Sequence, residues 1–155
     1  MGFSNSAEGS PSKFDVAEVN VNRTWALAGT SIAIFTFLFG FFYPRYASGE
    51  INPVLFQIAL AVIGFAIFSF VLAGIYYYEL TLSQSLSRTK QEMIRRRADT
   101  LWVGGFGLLL LDPSLMLFTV GLMVVAVLWL VLWISYLIFS INVFRQTQSW
   151  LRNAR

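Results

Sequence analysis

From Leu101 to Ile141 the chain reads LWVGGFGLLLLDPSLMLFTVGLMVVAVLWLVLWISYLIFSI. Asp112-Pro113-Ser114 is its one polar interruption. A bilayer-spanning helix needs about 20 predominantly apolar residues. The stretch is too long for one crossing, and the polar triplet divides it into two. This predicts a membrane-embedded helical hairpin with its corner at Asp112–Ser114. Asp112 is expected to cap the last helix, with Pro113 at the first helical position, where the absent N–H costs nothing.

Composition points the same way. Of 155 residues, 57% are hydrophobic and only 12% charged, about half the charged share of a soluble domain. That leaves too little polar surface to face water on every side. The chain holds no Cys and no His. Thiol chemistry, His/Cys zinc sites, His-ligated haem and a His general base are thereby excluded.

Outward from the hairpin, two further spans are expected. Residues 1–22 read as a disordered or interfacial tail, low in large apolar residues. Span one covers about 24–43, opened by Trp25 and closed by Phe41, Phe42 and Tyr43 as interfacial anchors. Ala26, Gly29, Ala33, Thr36 and Gly40 recur at steps of three and four. On a helix they form one seam of small residues, which lets another helix approach closely. The bulky Ile34, Phe35, Leu38, Phe39 and Phe42 are then expected to face lipid. A polar turn begins at Pro44. Asn52 caps span two, about 54–78, with Pro53 at its first position. Ala59, Ala66, Ser69 and Ala73 make a second small-residue stripe there.

The loop 79–98 is basic. Span three, about 96–111, is short and carries Gly104, Gly105 and Gly107, which suit close packing or a re-entrant path. Span four covers about 115–141, with Trp129, Trp133 and Tyr136 on one face. That face suits either a knob packed against the seams of spans one and two or a lipid or ligand cleft. Residues 145–155 form a basic interfacial tail. The expected fold class is therefore all-α: a polytopic integral membrane protein with four transmembrane helices in two antiparallel hairpins, a four-helix bundle spanning 23–144.

Charge orients the bundle. Of 11 Lys and Arg residues, only Arg45 falls at the turn between spans one and two. With four crossings, all the others share one side, and basic residues favour the cytoplasm. Both termini and the loop 79–98 are expected there. Arg95, Arg96 and Arg97 suit anionic lipid headgroups. They lack the interleaved aromatics and motif of a nucleic-acid site, so no nucleic acid is expected.

Chemistry is sparse. Glu50, Glu79, Asp99 and Asp112 are all placed at span ends, whereas membrane enzymes and transporters keep ionisable groups inside. No catalytic residue, metal ligand or cofactor is expected. The reading is a non-enzymatic structural, accessory or assembly subunit of a membrane complex, partnered by the bilayer and by copies of itself or other subunits. The alternative is a small oligomeric ion channel.

Overall fold

A computed structural model describes the backbone of residues 13–82 and 87–153, and the side chains of 18–82 and 87–142. The described chain is all-α: α1 (Lys13–Ala47), α2 (Pro53–Leu82), α3 (Arg88–Thr119) and α4 (Met123–Asn153). Each is long and apolar enough to cross a bilayer. The expectation for residues 1–12 lies outside the described residues, as do the side chains of the tail 145–155.

α1 begins earlier than span one was expected to. From Lys13 to Val21 there is no Gly or Pro, so nothing breaks the helix before the membrane-spanning part.

Both corners differ from expectation, for one reason. Pro44 and Pro113 lie inside helices, not at their ends. An internal proline deletes one backbone hydrogen bond, but in an apolar span the remaining ladder still satisfies more polar groups than an open turn does. The helices run on until a glycine can take a left-handed conformation. At the end of α1, Gly49 has φ +77°. Its N–H donates to the Tyr46 carbonyl, and the Glu50 N–H donates to that of Arg45. At the end of α3, Gly121 has φ +80°. Its N–H donates to the Phe118 carbonyl, and the Leu122 N–H donates to that of Leu117. These paired bonds are the Schellman closure, which satisfies the orphan carbonyls of a helix end. The corner therefore lies at Val120–Leu122, not Asp112–Ser114, and α3 is a full-length helix of 32 residues. Asp112 does not cap α4; it lies within α3. Asn52 caps α2 as expected, its Oδ1 accepting from the Val54 and Leu55 N–H groups at 3.1 Å.

α2 packs against both α1 and α3, and α4 packs on α3. α2 and α3 approach closely at Gly105. A Cβ there would stand 3.1 Å from Ser69 Cβ, 3.2 Å from the Phe70 ring and 3.3 Å from the Ala66 carbonyl oxygen. The stripe Ala59, Ala66 and Ala73 is fully buried, with Ser69 half-buried beside it. The pair is tied at both ends. Tyr77 Oη donates to Asp99 Oδ1 at 2.5 Å, and the Asn52 N–H reaches the Thr119 carbonyl at 3.5 Å. The second tie also places the Gly49 and Gly121 turns at the same end of the molecule.

α1 is turned opposite to expectation. Leu38 is buried, and Ile34, Phe35 and Phe42 pack into the same cluster with Phe56, Ile63 and Met116. Phe39 remains exposed, as expected of a lipid-facing residue. Ala26, Gly29, Ala33, Thr36 and Gly40 all face outward. Facing helices need complementary relief, as cores fill space by interdigitation. Near Phe56 α1 supplies the large residues, whereas toward its start it turns the small Thr24, Ala28 and Ser31 inward, with Ala28 against Phe70 and Thr24 beside Gly74 of α2.

Gly105→Val should separate α2 from α3 and lower stability by about 1–3 kcal/mol, the usual cost of overpacking. Gly104, with nothing within 4 Å of a Cβ, should accept the same substitution with little change. Thermal unfolding in mild detergent measures the difference.

Candidate functional sites

Four places carry the polar or aromatic side chains that chemistry or binding would use. The first is the basic end of the α2–α3 pair. The triplet Arg95–Arg97 divides between two faces of α3. Arg95 Nε stands 3.9 Å from Asp99 Oδ2, one turn on, so it belongs with the Tyr77–Asp99 tie. Such an exposed pair contributes a few tenths of a kcal/mol. Arg96 and Arg97 instead line an open groove of about 520 Å³ with Tyr76, Met93, Thr100 and Leu101. Both are exposed, and neither pairs with an acid among the described residues. Met93, Arg97 and Leu101 follow at four-residue steps along one line of α3, so the Arg97 side chain starts between the two apolar ones. The guanidinium of Arg23 lies 5.9 Å from the centroid of the Trp102 ring, bringing the start of α1 to the same end.

The second place is the face of α4. Trp133 Nε1 donates to the Gly107 carbonyl of α3 at 2.8 Å, the partner that a buried indole N–H needs. Tyr136 packs tilted on Phe106, with ring centroids 5.8 Å apart. Trp129 is 41% exposed. These side chains dock α4 on α3, not on the seams of α1 and α2. The notch between Leu110, Trp129, Leu132, Trp133 and Tyr136 holds about 80 Å³, against roughly 300–1,000 Å³ for small-molecule sites. Ser114 completes this docking: fully buried, its Oγ donates to the Ala126 carbonyl at 2.9 Å.

The third place is Asp112. It is 3% exposed, and Oδ1 has no hydrogen-bond partner. It lies seven residues after Gly105 and four before Met116, which puts it on the α2-facing stripe of α3. At about 1.5 Å per residue it sits roughly 12 Å before the corner at Val120. Sequence reading placed this acid at a surface, because Asp-Pro resembles a helix start. The missed signal was Gly121, the better stop for α3.

The fourth place is the outward seam of α1. Apart from chain neighbours and the backbone of its own helix, no described atom lies within 4 Å of a Cβ built at Gly29 or Gly40. Thr30 and Thr36 donate to the Ala26 and Ile32 carbonyls at 2.9 Å, so both hydroxyls are satisfied within the helix. Among the described residues no group of three or more potential metal-ligating side chains comes together. The chain matches no protein-family model, no curated protein and no solved structure.

Trp133→Phe removes the bond to Gly107 and keeps the ring. It should weaken α4 docking by about 0.5–1.5 kcal/mol, the net worth of one such bond. Trp129→Phe should change little. Amide hydrogen exchange along α4 reads the two variants against each other.

Proposed function

We propose that this chain is a non-enzymatic assembly subunit of a membrane complex, and that the seam Ala26, Gly29, Ala33, Thr36 and Gly40 receives a helix from another subunit. One observation carries this reading. The α2 stripe is covered from within the chain, while the α1 seam of the same type faces outward with open space over its glycines. In lipid, hydrophobicity does not drive helices together. Close backbone approach over small residues does. The occupant is a second copy of this chain or a helix of a partner. A pore reading draws little support from the same face, because its threonine hydroxyls are bonded to their own helix.

The charge pattern supports an orientation within this proposal. The Gly49 and Gly121 turns lie at one end, and the Arg-rich start of α3 lies at the other. The cytoplasmic side is then the end of Tyr77 and Asp99, by the bias of basic residues. The groove at Arg96 and Arg97 would hold an anionic phospholipid headgroup, with Leu101, one turn nearer the span, against the start of its acyl chain.

Gly29→Leu and Ala33→Leu together should weaken association at least about tenfold, or roughly 1.4 kcal/mol. The thermal stability of the single chain should hold. Native mass in mild detergent, taken over a dilution series, measures this. Unchanged assembly would remove the seam from the account.

Arg96→Gln with Arg97→Gln should reduce retention of anionic over zwitterionic phospholipid on the purified protein, by roughly 1 kcal/mol per charge removed. Arg95→Gln should leave retention nearly unchanged. Equal losses for all three arginines would show diffuse charge in place of a groove.

A further inference from the structure

Asp112 is a buried acid with an unpartnered oxygen, and the residue after it is the internal proline of α3. In a continuous helix the N–H of residue 113 would donate to the carbonyl of Leu109. Proline has no N–H, so the Leu109 carbonyl lacks its ordinary donor. Two polar groups three residues apart thus each want a partner, in a span where no solvent supplies one. Both are acceptors while the carboxyl is ionised.

We propose that Asp112 is a membrane-embedded proton-binding site, in which the acid's O–H donates to the carbonyl that Pro113 leaves without a donor. A single proton taken from the aqueous phase then serves both groups, and no other bond is made or broken. A side chain reaches a carbonyl three residues back within a helix elsewhere in this chain: Thr81 Oγ1 donates to that of Tyr78 at 2.7 Å in the last turn of α2.

Among the described residues no ion pair reaches Asp112. α2 carries no ionisable side chain from Pro53 to Ile75, and α3 carries none but Asp112 between Thr100 and Thr119. In α4 the only titratable group from Met123 to Asn142 is Tyr136, and α1 has none between Thr24 and Phe42. At the turn end α1 adds Tyr43, Arg45 and Tyr46. The guanidinium of Arg45 stands over the Phe41 ring, 5.1 Å from its centroid. A carboxylate left without cation or donor is costly in such a setting, and acids kept inside spans mark proton or ion handling.

Infrared difference spectroscopy of the protein in bilayers tests this. The wild-type protein should show the C=O stretch of a protonated carboxylic acid at neutral pH, and Asp112→Asn should lose it. A second measurement uses thermal stability. Asp112→Asn keeps a donor for Leu109 and should unfold close to the wild-type temperature, whereas Asp112→Leu should unfold lower. Pro113→Ala restores a backbone donor, so it should raise the unfolding temperature more in the Asp112→Leu background than in the wild type. Absence of the acid band in the wild-type protein would overturn the proposal. So would an equal gain from Pro113→Ala in both backgrounds.

Discussion

The close approach of α3 to α2 at Gly105 is the constraint on which the other packing depends. With no side chain at that position, Ser69, Phe70 and the Ala66 carbonyl reach the backbone of α3. Dispersion falls steeply with distance, so a gap of even 1 Å forfeits a large part of each contact. Bringing the axes together lets Tyr77 reach Asp99 and lets Asn52 reach Thr119. Against this pair α1 turns Leu38, Ile34 and Phe35 inward near Phe56 and the small Thr24, Ala28 and Ser31 inward toward its start, and the seam from Ala26 to Gly40 is left outside.

The helix ends follow from a second constraint, the lack of solvent partners for backbone groups. An internal proline removes one donor. An open turn in lipid would remove several. Hence α1 and α3 pass through Pro44 and Pro113 and stop only where Gly49 and Gly121 allow a closed end. The same choice carries Asp112 into the span. A residue that would be a surface cap under one placement of the corner becomes a buried acid under the other, eight residues away along the helix.

Much of the architecture was legible in the sequence. Apolar runs of membrane-crossing length gave the number and type of helices, and Asn52-Pro53 marked the start of α2. Gly104, Gly105 and Gly107 pointed to close packing, which Gly105 provides against α2 and Gly107 against α4. What could not be read was direction. A seam of small residues shows that one face suits a helix, but not whether that helix belongs to the same chain. In α1 the residues Thr24, Ala28 and Ser31 make a second small face at the same spacing, and that face is the one turned inward. Asp-Pro is likewise ambiguous, because proline serves a first turn in water and is tolerated mid-helix in lipid. The division of Arg95 from Arg96 and Arg97 depends on where Asp99 and Tyr76 stand, which needs the packed pair.

The chain has no cysteine of its own, so an engineered pair reports without background. The most direct test of the α2–α3 contact is oxidation of Ser69→Cys with Gly105→Cys in intact membranes. Their Cβ atoms would start at 3.1 Å and need only a small outward shift to meet disulfide geometry. The contact predicts rapid and near-complete crosslinking of this pair, and little for Ser69→Cys with Gly104→Cys. Equal crosslinking of the two pairs, or preference for Gly104, would contradict the packing from which the rest of the fold has been derived.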